Sequence, residues 1–341
     1  MRASAYCPSA TLHQLLDLSL AFAPEYGGGL SSHLPMALSA LDGLGATDQR
    51  LRLFFDSYTS RLRPRQVLPP SPDNHDWRVL RGDAQALPML ERAFSLALAR
   101  DGRDAVLRSA MPELVTGVGA AALHGVIRVA HAVEARHERE LAAALGYWAS
   151  RWFPLSPPLP SDSAFGDAAT WLDAMDAHRA REEAGWSPSG DLIVERMVDA
   201  SRTETYRAFA GRSGIDNSPA DWLAGLARAA AARYSRSRNF TVLHLCTGAR
   251  AARVLAPWLV AKGVDLAPLA HAMAAANLAS NVAADQLYSL SATLLDWPAA
   301  IAQACTSDDD HVIKLVHAMA TQDSIDPAPE WLAAANAAVG T

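Results

Sequence analysis

Lysine is almost missing from this chain. Only Lys262 and Lys314 are lysines, and every other basic side chain is arginine. Cysteine is nearly as scarce: Cys7, Cys246 and Cys305 are odd in number and far apart. That gives no basis for a disulfide framework or a thiolate metal site, and it suits a reducing cytoplasm. Long apolar runs are absent too, and a bilayer span needs about 18 or more consecutive apolar residues. The apolar stretch 15–23 is interrupted by Asp17 and preceded by Arg2 alone, which makes a poor signal peptide. A net charge of −6, with no arginine-rich face interleaved with aromatics, argues against nucleic acid as a partner. β-Branched clusters are few and strands do not alternate with helices, so no dinucleotide-binding sheet is expected. Residues 117–122 (GVGAAA) fit GxGxxA superficially, but no strand precedes them. Gly117 and Gly119 read instead as points of close helix packing.

What the chain has is alanine, leucine and arginine at three-to-four spacing, half of its 341 residues being hydrophobic. This is an all-α chain with length enough for a large core. It reads as one helical domain over 1–341, with halves at 1–150 and 161–341 joined by the proline-rich segment 153–160 (FPLSPPLP). Helices are expected over 9–22, 34–43, 47–62, 84–100, 103–110, 114–134, 138–150, 166–182, 190–199, 203–209, 219–234, 239–261, 264–280, 284–292, 297–305, 310–321 and 328–337. A second proline-rich, polar linker covers 64–77, and turns are expected at 185–190 and 212–219.

The organising stretch is 308–318 (DDDHVIKLVHA). Its three acidic residues suit the first turn of a helix, where carboxylates accept free N–H groups. His311, Lys314 and His317 then fall on one broad helical face. Arginine keeps its proton, whereas a buried lysine can become a neutral amine. Such an amine can form a Schiff base or take up carbon dioxide as a carbamate. The plainer alternative is a lysine that snorkels to the surface or pairs with a nearby aspartate.

Eleven histidines invite a search for ligands. His33 follows the flexible stretch 27–32 (GGGLSS), with Ser32 the expected helix cap and Pro35 in the first turn. His124 and His131 are seven apart on one stripe with Arg128 between them, and His244 lies in the apolar segment 241–248, where a charged imidazole would be costly. His13, His75, His137, His178 and His271 have polar or terminal neighbours and read as ordinary. There is also an internal echo. Residues 127–132 (IRVAHA) match 313–318 (IKLVHA), with His124 and His311 just upstream, and His33–Leu34 parallels His244–Leu245. Two pseudo-repeated halves facing a shared metal would produce this pattern, as would chance in an alanine- and leucine-rich chain. One Glu-x-x-His pair, Glu134 and His137, is followed by Glu138 and Glu140; with no second copy, it reads as a solvated face rather than half of a di-iron site. Neither His-Glu-x-x-His nor Gly-x-Ser-x-Gly is present. Asp310 could complete a two-histidine, one-carboxylate iron site.

Taken in order, 32–41 (SHLPMALSAL) with 44–46 (LGA), 124–132 (HGVIRVAHA), 242–248 (VLHLCTG) and 310–318 (DHVIKLVHA) resemble the questin oxidase family. No one segment is decisive, but the ordered set is fairly specific and covers most of the chain. The resemblance implies an all-helical fold and a non-haem iron centre with histidine ligands and a carboxylated lysine. It also implies an oxygenase that opens or inserts oxygen into a ring of an anthraquinone-type polyketide. Carried over, His33, His124, His244 and His311 would be the nitrogen ligands and Lys314 the carboxylated lysine, with His317 an alternative to His311. Ser32 departs from the family's asparagine before the first histidine.

Neutral imidazoles with a hard oxygen anion suit Fe(II). Arg128 and His131, one and two turns beyond His124, could steer a phenolate or quinone oxygen and move protons, as could His317. The implied partners are a small aromatic substrate and dioxygen. Family enzymes of this type have also been viewed as NADPH-dependent Baeyer–Villiger monooxygenases without bound metal; no nucleotide fingerprint is present, so reductant would come from outside or from the substrate. Two other readings stand beside these: a non-catalytic helical ligand-binding or scaffold protein, and zinc in the same histidine cage as a hydrolytic Lewis acid.

Overall fold

The structure, a computed structural model, describes residues 6–66, 76–282 and 295–340. Helix α1 (Ala10–Ser19) starts where the Ser9 hydroxyl accepts from the Leu12 N–H. A hairpin of β1 (Glu25–Tyr26) and β2 (Leu30–Ser31) follows. Its turn runs through Gly27, Gly28 and Gly29 at φ of 55°, 86° and 113°, a backbone that glycine tolerates best. Then come α2 (Leu34–Gly43), α3 (Asp48–Thr59), α4 (Leu87–Asp101), α5 (Arg103–Leu114), α6 (His124–Glu134) and α7 (Glu138–Arg151). Residues 152–161 carry no regular secondary structure. Beyond them lie α8 (Ala168–Glu182), α9 (Ile193–Ala200), α10 (Glu204–Phe209), α11 (Pro219–Ser237), α12 (Phe240–Val254), α13 (Ala256–Leu259) and α14 (Ala267–Ser280). The last are α15 (Trp297–Thr306), α16 (Asp310–Ile325) and α17 (Pro329–Val339). The all-α expectation holds: apart from the two-residue strands, the regular elements described are helices. None of the described helices is long and apolar enough to cross a membrane.

The main apolar core draws on helices from both sides of the proline-rich segment, from Leu90 and Trp148 to Trp171, Met273 and Trp331. A smaller cluster unites α1, α2 and α3 with Ala135 and Ile313. Small residues set the spacing of the helices. A Cβ on Gly125 would lie 2.7 Å from Trp148 Cγ, and one on Gly248 would lie 2.7 Å from Leu123 Cδ1, so α6 meets its neighbours only because both positions are bare. Gly117 presses on the Trp152 ring in the same way, which makes the GVGAAA segment a packing feature.

Four helices form a closed ring: α2 packs on α6 and α16, and α12 packs on the same two. Two of them precede the proline-rich segment and two follow it.

Three expectations need correction. The helix over 114–134 is broken: the chain leaves α5 at Leu114 and passes through Ala121, Ala122 and Leu123 at φ of 48°, 55° and 70° before α6 begins at His124. The helix over 239–261 breaks after Val254, because Pro257 has no N–H to continue the ladder. The cap position of α2 belongs to His33 rather than Ser32, whose N–H is taken by the Pro24 carbonyl beside the hairpin at 2.8 Å. The helix expected over 284–292, residues 67–75 of the 64–77 linker and His75 lie outside the described residues.

Candidate metal centre

The four ring helices each bring a histidine to one place, and each does so near its N-terminus. His33 caps α2, His124 opens α6, His311 is in the first turn of α16, and His244 lies early in α12. Neighbouring rings follow the order of the helices, with centroids at 4.7 Å (His33–His124), 4.9 Å (His124–His244), 5.5 Å (His244–His311) and 4.6 Å (His311–His33). His33, His124 and His244 are buried and His311 is half-buried. Phe240, half-exposed, covers the His244 and His311 rings from outside.

Three rings are hydrogen-bonded through Nδ1, and the fourth turns its Nδ1 toward carboxylates. His33 Nδ1 donates to Asp310 Oδ1 at 2.5 Å, and His311 Nδ1 faces the same oxygen at 3.1 Å. His244 Nδ1 donates to the Phe240 carbonyl at 2.9 Å, and His124 Nδ1 to the Ala121 carbonyl. The left-handed run before His124 is what turns that carbonyl back onto the ring. Non-glycine residues in this region cost on the order of 1–3 kcal/mol each, so the turn is kept against a local penalty. With Nδ1 carrying the proton, the Nε2 atom of a neutral ring has a free lone pair. His33 Nε2 and His124 Nε2 face each other at 2.6 Å, and His311 Nε2 is buried with no hydrogen-bond partner among the described residues.

Electrostatics keep His33, His124 and His244 unprotonated. Burial, followed by the Lys314 charge, pushes His33 down to about 3. Burial also holds His124 and His244 well below the usual imidazole range, with neighbouring histidines and Lys314 acting the same way. The positive ends of four helices add to the bias against an imidazolium here. Two neutral rings whose lone pairs oppose each other at 2.6 Å repel unless both nitrogens bind a shared cation. The donor set therefore fits a metal ion, and two groups can hold one: His33, His124 and His244, and His33, Asp310 and His311.

Asp310 is the hinge of the arrangement. Burial works against its carboxylate, but His33, Lys314 and His311 more than offset this and hold it well below the usual range. Lys314 neither snorkels nor reaches solvent. It is 3% exposed, with Nζ 3.7 Å from Asp310 Oδ1. Burial lowers its pKa from 10.5 to about 8, against the pull of Asp310 and Asp309. A usable fraction of neutral amine is therefore present near neutral pH.

The structure places the remaining candidates elsewhere. His317 and His131 pair with each other, ring centroids 5.6 Å apart, and neither is in the groups that could hold a metal. Arg128 is clamped by Glu140, Nε to Oε1 at 2.6 Å and Nη2 to Oε2 at 2.9 Å. The 134–140 run is not a solvated face: His137 and Glu140 are buried, and Glu134 binds Arg250. Arg250 and the Ala121 carbonyl escaped notice in the sequence. Arg250, between Ala249 and Ala251 and 2% exposed, could have been flagged as a charge on a buried helical face.

Compared with known families, residues 30–319 match the model described as Questin oxidase-like. The chain belongs to the Questin oxidase-like family. No curated protein matches it. The Questin oxidase-like span runs from β2 into α16 and so takes in all four histidines of the ring, Asp310 and Lys314, leaving α1, β1 and α17 outside.

Proposed function

We propose that this member of the family is a non-haem iron oxygenase that inserts oxygen into, or opens, a ring of a polycyclic aromatic ketone or quinone of polyketide type. Family membership supports an oxygenase with polyketide-type substrates. The observation that carries the metal is the opposition of His33 Nε2 and His124 Nε2, both rings anchored through Nδ1.

His33, His124, His244 and His311 would hold Fe(II), with Lys314 as a carbamate supplying an oxygen ligand. Nitrogen and hard-oxygen donors suit this ion, which when bound supplies the capacity to react with dioxygen. The chain's own residues do the rest. Asp310 keeps the His33 and His311 protons on Nδ1. The buried Lys314 amine loses its proton readily enough to take up carbon dioxide. Phe240 and His311 form the more open side of the ring, from which a flat aromatic substrate would approach. His131 and His317, neutral because of burial, are suited to passing protons, and Arg128 remains a fixed cation in the wall.

The test is metal analysis and dioxygen uptake after anaerobic loading. About one tightly bound iron per chain, with uptake that requires an anthraquinone-type probe, is expected. Uptake driven by NADPH in metal-free protein would favour the Baeyer–Villiger alternative. Zinc without uptake would favour hydrolysis, and absence of any metal binding would leave a scaffold or ligand-binding protein.

A further inference from the structure

Beside the histidine ring, α6, α12 and α16 enclose a second group of polar side chains. His131 and His317 face each other, and the Arg250 charge acts on both imidazoles. Arg250 Nη2 donates to Glu134 Oε1 at 2.5 Å, and its Nε donates to the Thr321 hydroxyl at 3.3 Å. His131, His317 and Arg250 are buried, whereas the Glu134 side chain keeps 25% of its surface. One buried polar atom of each residue has no hydrogen-bond partner among the described residues: Nδ1 of both histidines, Arg250 Nη1 and Glu134 Oε2.

A buried polar atom left unpaired costs about 1–3 kcal/mol. Native proteins contain few of them, so four in one cluster call for a shared partner. Its chemistry follows from the donors and acceptors. Arg250 Nη1 only donates, Glu134 Oε2 only accepts, and a neutral imidazole nitrogen does either. Arg250 and Glu134 balance each other's charge and burial keeps both imidazoles neutral, so the cluster has no net charge to draw an ion. These atoms are in neither group able to hold a metal. A small neutral molecule that both donates and accepts is required, and water meets that description.

We propose that His131, His317, Arg250 and Glu134 line an internal water site, distinct from the histidine ring, that runs from the partly exposed Glu134 edge to the inner side of Lys314. Lys314 stands one turn before His317 on α16, and its charge reaches His131. The other face of His317 is closed, because a Cβ on Gly43 would lie 2.6 Å from its Nε2. The passage would let water and protons reach the interior behind the centre without crossing the substrate side. It does not depend on which metal, if any, the ring holds.

The test uses the metal-free full-length protein, so a failure to load iron would overturn the proposed function and leave this inference standing. A high-resolution crystal structure should show ordered water hydrogen-bonded to at least two of the four atoms. In nitrogen-15-labelled protein, the imidazole N–H protons of His131 and His317 should exchange with deuterium at rates insensitive to low denaturant, the mark of native-state access rather than global opening. Gly43→Ala, which drives His317 into the site, should slow His131 exchange by about tenfold, and His317→Phe should do likewise, while His271→Gln should leave it unchanged. No ordered water at these atoms, or exchange that tracks global unfolding, would overturn the proposal.

Discussion

The Nε2 atoms of His33 and His124 stand 2.6 Å apart although both rings already spend their Nδ1 protons, one on Asp310 and the other on the Ala121 carbonyl. The close approach is therefore not an ordinary hydrogen bond between neutral imidazoles. A cation bound by both nitrogens would resolve the repulsion, and His244, His311 and Asp310 are near enough to join them.

Removal of a single ring nitrogen is the most direct check. His124→Ala and His244→Ala should each abolish tight metal binding and activity while leaving the far-ultraviolet circular dichroism within a few per cent of the parent. His178→Ala and His271→Ala should change neither. A His124→Ala protein that binds iron like the parent would mean the site has been misplaced.

Asp310→Asn keeps the shape of the side chain but removes the charge that holds two imidazoles by Nδ1. Loss of a partner that orients a ligand costs about 10–100-fold in metal affinity. Competition with a chelator should show a decrease of that order with the fold intact. An unchanged affinity would show that the His33 and His311 rings are oriented by packing alone.

Lys314→Arg keeps length and charge but cannot react with carbon dioxide, so metal-dependent activity should vanish. The plainer alternative, a buried Lys314–Asp310 ion pair, is separated from the carbamate by chemical rescue. In Lys314→Ala, a short carboxylic acid should restore part of the activity and a short amine should not. Rescue by the amine would point to a cationic or Schiff-base lysine, and an iron-replete, active Lys314→Arg protein would rule out the carbamate.

Acid should destabilise the metal-free protein earlier than it does most proteins. Burial depresses the folded-state pKa of His33, His124, His131, His244 and His317 below their unfolded value. Below about pH 6.5 the unfolded chain takes up protons that the folded one refuses, so stability is full above that pH and falls as the pH drops towards the folded values. Asp310 adds a similar loss only at much lower pH, its folded value being depressed relative to about 3.9. Urea midpoints measured at about pH 7.5 and 5.5 should fall with no change in slope. Equal midpoints would contradict neutral burial of these rings.

Parts of the candidate centre could be read from the chain, and others were hidden for separate reasons. Helix α16 was legible because Asp309 caps it and its apolar residues recur in phase. The start of α6 was hidden because its left-handed approach is built from alanine and leucine rather than glycine, which leaves no mark in the sequence. The charged run 134–140 looked solvated because its buried pairings are not adjacent in sequence: Glu134 binds Arg250 from 116 residues away, and Glu140 binds Arg128 on the preceding helix. His311 and His317 are equally spaced from Lys314 in sequence, and only the packing of α2 and α12 against α16 separates their surroundings.

The anchoring bond between His33 and Asp310 joins residues 277 apart, and the ring draws one histidine from each of four helices spread along that interval. A nascent chain can offer only the His33, His124 and His244 group until α16 emerges with Asp310 and His311. If the ring holds a metal as proposed, a product truncated before residue 310 would keep three histidines but bind more weakly, with no Asp310 to orient His33 and no His311. In the finished protein, a bound ion would act as a cross-brace between the first and last quarters of the chain, raising resistance to unfolding in proportion to RT ln(1 + [metal]/Kd).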